Sequence, residues 1–262
     1  MTTQSDASVL LDVTGGVGWI TLNRPKAYNA LNTDMADIRC DEDDKIRAVV
    51  ITGNGASFCA GGDIRQMIDS RASEGNAAPF LKTLTVSLHA AIATIAHMSK
   101  PVVMAVNGAA AGAGFSLALA GDLVLAADNA RFTVAYTAIG LAPDGSSTFT
   151  LPRLVGPKRA FELMCTNRPL SADEARALGL VNQVFPKGEF IQRAREFAAE
   201  LAGGPTAALG YAKRLVTLSA QSSLETQMEH ERRAIAACGR TSDFREGTEA
   251  FIAKRLPKFQ GR

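Results

Sequence analysis

Phe58-Cys59-Ala60-Gly61-Gly62-Asp63-Ile64 and Asn107-Gly108-Ala109-Ala110-Ala111-Gly112-Ala113-Gly114 are the two stretches on which the reading of this chain turns. Neither carries much side-chain bulk, so backbone in either can approach a ligand closely. The first follows an apolar strand expected at 48–52, after a Gly-Asn-Gly-Ala loop. The second ends an apolar strand expected at 102–107 and opens a helical segment at 115–121. Its N–H groups are therefore unpaired and sit at the positive end of a helix dipole, a natural seat for an anion. If the two turns converge, one N–H from each makes an oxyanion hole, which stabilises charge on a carbonyl oxygen without any titratable side chain. One such donor is worth roughly 3 kcal/mol. Taken singly, each also reads as a tight turn in which backbone packs on backbone.

Outward from these turns the pattern is mixed. Two β-type runs, 8–13 and 17–23, flank Thr14-Gly15-Gly16 and predict a hairpin. The chain breaks at Arg24-Pro25, and a short helical stretch over 33–40 runs into the acidic loop 41–44. Phe80, Leu84, Leu88, Ile92 and Ile95 recur at three and four residues, so 79–98 is an amphipathic helix ended by Pro101. Strands are expected at 123–127 and 131–135, and helices dominate from 157 onward apart from an extended piece near 181–185. Strands mixed with helices early and helices late predict an α/β core, 1–200, with a helical C-terminal subdomain, 201–262. No internal repeat is visible.

The bulk numbers exclude several classes. The 262 residues are 47% hydrophobic, ordinary for a packed core, and 28 basic against 26 acidic residues leave no stripe suited to nucleic acid. Cys40, Cys59, Cys165 and Cys238 form neither a CxxC pair nor a disulfide framework, which fits a reducing compartment. The first eight residues lack a signal-peptide pattern, and no apolar run reaches the roughly 18 residues of a membrane span. A cytoplasmic protein with no membrane or nucleic-acid partner is expected.

Phe58 to Ile64 and Asn107 to Gly114, in this order and spacing, resemble the two signature segments of the crotonase (enoyl-CoA hydratase/isomerase) superfamily. Trp19-Ile20-Thr21-Leu22-Asn23-Arg24-Pro25 with Asn29-Ala30-Leu31, Lys100-Pro101, Gly121-Asp122, Leu151-Pro152-Arg153-Leu154-Val155-Gly156, 175–181 and 251–259 resemble further landmarks, so the likeness covers nearly the whole chain. It implies a crotonase-like (ClpP/crotonase) spiral of ββα units and a C-terminal region used to form a trimer or hexamer. It also implies an acyl-CoA thioester substrate, with coenzyme A counted as substrate and no separate cofactor. By the same matching, Ala60 and Ala113 are the expected oxyanion donors. Coenzyme A would lie across Ala60, Gly62, Asp63 and Ile64, with Lys26, Phe251 and Lys254 at its phosphates or adenine; a solvated surface is the other reading of those last three. The helix after Leu31 is about two turns shorter than in relatives, on the side where Lys26 stands.

Enolate stabilisation serves hydratases, isomerases, hydrolases and decarboxylases alike, so acids and bases must decide the reaction. Where the resemblance places a hydratase's two glutamates, this chain carries Ser116 and Tyr136. Serine has no useful pKa and an unassisted tyrosine titrates near 10, so neither replaces a carboxylate. A double-bond isomerase needs one base, which removes a proton from carbon 2 and returns it at carbon 4. Gly140-Leu141-Ala142-Pro143-Asp144-Gly145-Ser146-Ser147 resembles the loop that bears the acid in isomerase-type relatives, including those of phenylacetate degradation, and Asp144 is the expected base. Pro143-Asp144-Gly145 also reads as an ordinary turn. Enoyl-CoA isomerase is the favoured activity; a hydratase with unusual acids, or an acyl-CoA-binding protein that has lost catalysis, are the alternatives.

Asp63 reads as a helix cap and Asp122 as a structural hydrogen-bond partner. His89, His97 and His230 read as packed or solvated, and no metal constellation emerges. Gly140 to Ser146 lacks the lysine of a phosphate loop, and no Gly-x-Ser-x-Gly elbow is present. Met67, Ile68, Phe115 and Phe149 are expected acyl-pocket walls, and 71–78 a loop at the acyl entrance.

Overall fold

A computed structural model describes residues 7–32 and 40–262. Most of the helix expected at 33–40 lies outside the described residues, and with it the shortened helix after Leu31. The expected hairpin is β1 (Val9–Thr14) antiparallel to β2 (Val17–Leu22). Both loop residues, Gly15 and Gly16, sit at positive φ, as the twist of a two-residue hairpin loop requires. There follow β3 (Ala48–Gly53), β4 (Ser57–Cys59), α1 (Ile64–Glu74), α2 (Ala78–His97), β5 (Val102–Val106), β6 (Ala109–Ala111) and α3 (Ala113–Ala120). Next come β7 (Leu123–Ala127), β8 (Arg131–Thr133), α4 (Ser147–Val155), α5 (Pro157–Thr166), β9 (Leu170–Ser171), α6 (Ala172–Ala177) and β10 (Gln183–Phe185). The helices α7 (Phe190–Gly203), α8 (Thr206–Ser219), α9 (Leu224–Cys238) and α10 (Ser242–Ile252) complete the chain.

The strands form two sheets, ordered β1-β2-β3-β5-β7-β10 and β4-β6-β8-β9. Pairings are parallel except β1 with β2 and β8 with β9. Each pair β3–β4, β5–β6 and β7–β8 sends its first strand to the large sheet and its second to the small one. A helical segment follows each pair, which is the expected ββα spiral. The repeat is spatial, carried by topology rather than by recurring residues.

The large sheet is buried on both faces, so its strands are apolar throughout rather than alternating. Val50, Val103, Ala105 and Leu125 face Phe190, Ala194, Ala198 and Ala202 of α7. Val49, Ile51, Met104 and Val124 turn to the other face, with the Leu84, Leu88, Ile92 and Ile95 row of α2. By length and hydropathy α2 could cross a membrane, but its apolar row packs on this core. The loop expected at 71–78 is corrected: α1 continues to Glu74, ends at Gly75 in the left-handed conformation, and α2 begins three residues later.

The C-terminal helices are tied to the core by buried cations. Lys213 of α8 pairs with Asp122 at 2.7 Å and donates to the carbonyls of Ile95 and Lys100 at 2.5 and 3.3 Å. Asp122 also accepts the Val102 N–H at 2.7 Å, the structural role expected of it. Burial pushes its carboxyl above the ordinary value against the pull of Lys213. Arg47 donates to Gly204 O, Thr206 Oγ1 and Phe259 O.

Candidate active site

The two small-residue turns converge. β4 and β6 are parallel neighbours, with Ser57 opposite Ala109 and Cys59 opposite Ala110. Beyond them Gly61 sits at φ +100, where a Cβ would lie 2.9 Å from Ala111 O and 3.4 Å from Ala113 N. A Cβ on Gly114 would lie 2.1 Å from Cys59 O. Backbone does pack on backbone here, and that close approach is what brings two sets of N–H groups together.

Which N–H groups are free follows from the chain before them. The segment 24–31 straps the first turn: Ala60 N–H donates to Tyr28 O (3.0 Å), Leu31 N–H to Gly61 O (2.7 Å) and Asp63 N–H to Leu31 O (3.1 Å). The expectation that Ala60 is the first oxyanion donor is therefore corrected, because its N–H is already paired. Gly62 N–H, next to the paired Asp63 N–H, has no acceptor among the described residues. On the second turn Gly112 N–H donates to Thr133 O (3.1 Å), and Ala113, the first residue of α3, has an N–H with no acceptor among the described residues. Each side thus presents at least one free donor, Gly62 on the first turn and Ala113, at the start of α3, on the second.

Polar side chains hold this frame. Asn29 Nδ2 donates to Asn54 O and Ser57 O at 2.9 and 2.8 Å. Asn107 Nδ2 donates to Gly55 O at 3.0 Å, and its Oδ1 accepts the Gly53 N–H at 3.1 Å. Asp63 caps α1 through the N–H groups of Arg65 and Gln66 and pairs with Arg24 Nη2 at 2.7 Å. Burial works against its charge, but Arg24 and the two N–H groups outweigh it and hold the carboxyl below the usual range. In the sequence Arg24, Asn29 and Asn107 stand out only as landmarks; Asn29 and Asn107 meet backbone groups distant in sequence, and Arg24 meets the Asp63 carboxylate.

Asp144 stands among hydroxyls. Tyr136 Oη donates to Asp144 Oδ1, while Oδ2 has no partner among the described residues. Ser116 Oγ, fully buried, lies 2.9 Å from Tyr136 Oη and 2.9 Å from Asp144 O. Ser147 Oγ donates to the same carbonyl at 2.8 Å. Gly145, at φ +58, could carry no Cβ without meeting Ser116 Cβ at 2.8 Å, so the loop is seated on α3. Its N–H donates to His89 Nε2 at 3.4 Å, a contact from the exposed flank of α2 that the sequence did not signal.

Other expected residues fall less close. Met67 flanks Gly62, where a Cβ would meet its Cε at 2.5 Å. Phe115 is fully buried in the core, Ile64 and Ile68 are exposed, and Phe149 is half exposed beneath the Arg153 guanidinium, 3.5 Å from its ring centre. Lys26 is exposed in a short 3-10 turn, Pro25–Ala27. Phe251 lines an apolar groove with Pro205, Phe244, Ile252 and Phe259, and Lys254 follows α10. Among the described residues no hydrogen bond or ion pair joins Lys26, Phe251 or Lys254 to 58–64.

The arrangement offers two N–H donors for a carbonyl oxygen and one carboxylate with an open oxygen. The family model for enoyl-CoA hydratase/isomerase matches residues 12–262. The chain is 38% identical to the 1,2-epoxyphenylacetyl-CoA isomerase of Escherichia coli, over 97% of this chain and 98% of that protein. It is also 38% identical to 4-chlorobenzoyl coenzyme A dehalogenase-1 of an Arthrobacter species, over 98% and 94%. The crystal structure of an enoyl-CoA hydratase from Polaromonas sp. JS666 superposes with a TM-score of 0.89 at 35% identity, covering 96% of this chain and 99% of that one. Three activities are thus named among relatives of similar identity. The chain belongs to the enoyl-CoA hydratase/isomerase (crotonase) superfamily.

Proposed function

We propose that the protein is an enoyl-CoA isomerase in which Asp144 shuttles the proton. The thioester carbonyl oxygen accepts the Gly62 and Ala113 N–H groups. Asp144 Oδ2 removes a proton from carbon 2 of a 3-enoyl thioester, the charge spreads over a dienolate held by the two donors, and the same oxygen returns the proton at carbon 4. No other reactant is needed. The observation that carries this reading is a carboxylate with one oxygen tied and one open, on a loop seated against Ser116 of α3, the helix that opens with the free Ala113 N–H. Water addition would call for a second carboxylate, and Ser116 and Tyr136 supply hydroxyls bonded to each other instead. Lys26, Phe251 and Lys254, all exposed, are assigned to the nucleotide end of coenzyme A. Self-association is assigned to the C-terminal helices, where Ile235, Phe251, Ile252 and Leu256 expose large apolar surface.

The test is incubation of the protein with 3-enoyl-CoA, 2-enoyl-CoA and 4-chlorobenzoyl-CoA, following double-bond migration, water addition and chloride release separately, beside Asp144→Asn. Migration lost in the variant is the expected result. Water addition that survives the variant returns a hydratase, and chloride release in place of migration returns the dehalogenase named among the relatives.

A further inference from the structure

Positions 116 and 136, which sequence reasoning took for lost acids, both aim their hydroxyls at residue 144. The carboxylate of Asp144 is asymmetric: Oδ1 takes the Tyr136 phenol proton and Oδ2 is open among the described residues. The backbone around it is pinned as well. Ser116 and Ser147 hydroxyls both reach the Asp144 carbonyl, and His89 Nε2 accepts the next N–H.

Tyr136 is itself rigidly held. Ala135 before it sits at φ +62, a left-handed conformation that costs a non-glycine residue about 1 kcal/mol and turns the chain out of β8. Tyr136 O accepts the Ile139 and Leu141 N–H groups at 3.1 Å each, and its N–H donates to Val134 O at 2.9 Å. The ring is buried, and Ser116 Oγ packs against its hydroxyl. Burial first, then the Asp144 carboxylate, pushes the phenol far above its ordinary value, so it stays protonated and keeps the proton it donates to Asp144. A chain with no use for this donor could place a phenylalanine here without losing packing.

We infer that Tyr136 is a positioning residue for the proton transfer: it fixes Asp144 through Oδ1 so that Oδ2 alone meets carbons 2 and 4, and Ser116 fixes Tyr136 in turn. This rests on the reading of Asp144 as the base. A carboxylate free at both oxygens rotates, and a near-attack geometry lost by rotation lowers turnover rather than binding.

The experiment compares wild type, Tyr136→Phe, Ser116→Ala, the double variant and Asp144→Asn on a 3-enoyl-CoA, with each variant's folded fraction measured by circular dichroism. For Tyr136→Phe, kcat should fall about thirtyfold with KM within about twofold, since charge-assisted hydrogen bonds are the strong class. Ser116→Ala should fall about fivefold, and the double variant should fall by clearly less than the product of the two, because both hydroxyls hold the same residue. A kcat for Tyr136→Phe within about twofold of wild type, with Asp144→Asn inactive, overturns the role of Tyr136 and leaves Asp144 as the base. Migration that survives Asp144→Asn overturns the underlying reading instead. If Tyr136→Phe does not fold, Ser116→Ala decides, and an unchanged kcat there overturns the inference.

Discussion

The two halves of the site are made in opposite ways. The proposed oxyanion frame, 58–64 with 107–114, presents backbone N–H groups, braced by the amides of Asn29 and Asn107, and its spacing depends on atoms the chain does not have: the missing Cβ atoms of Gly61 and Gly114. The cluster proposed to handle the proton is side chain held by side chain, Asp144 bonded by Tyr136, and Tyr136 by Ser116. A frame of the first kind serves any reaction that passes through an enolate, while a cluster of the second kind selects among such reactions by single residues. Relatives at equal identity bear the names of an isomerase and a dehalogenase, so overall likeness does not select the reaction.

The contrast can be broken from either side. Asp144→Asn should remove about a thousandfold or more of the migration rate while acyl-CoA binding, measured by calorimetry, stays within a few fold. Gly114→Ala should act on the frame instead: its Cβ would lie 2.1 Å from a carbonyl oxygen that cannot swing away, so stability should fall by about 3 kcal/mol or more in urea unfolding. Ala113→Pro is more delicate. Proline is tolerated at the first position of a helix but has no N–H, so kcat should drop about a hundredfold with the fold retained. Smallest is Asp63→Ala, which removes a helix cap and an ion partner and should cost about 1 kcal/mol. Because Asp63 is held below its ordinary value, its contribution is present above about pH 4 and is lost as pH falls through the lower folded value. The difference in thermal midpoint between wild type and variant should therefore close on acidification.

What the sequence made legible follows the same division. Strands β3 and β5 and helix α2 announce themselves because burial writes a continuous or periodic apolar pattern. Helix α1 buries none of its residues, so no apolar stripe marks it, and its last turn reads as a loop; only its cap, Asp63, is visible in advance. The small-residue turns were legible as turns, but not which N–H in the first one is free. That is settled by the carbonyl of Tyr28, from a strap whose register with 60–63 no local pattern encodes. Asp144 stands out in the sequence by its loop, whereas its bond to Tyr136 does not, because a hydroxyl at position 136 reads as a missing acid until its partner is in view. His89 stays hidden for the same reason: it lies off the apolar face of α2 and meets a backbone group.

Lys213 carries one more consequence. It leaves the last third of the chain to neutralise Asp122 at the foot of β7, 9% exposed and bonded to two carbonyls on the way. An excised fragment ending near residue 200 would keep the aspartate and lose both its counter-ion and the bonds that Lys213 makes to the Ile95 and Lys100 carbonyls. Expression of the first 200 residues alone should yield insoluble protein, and supplying 201–262 as a separate chain should recover it.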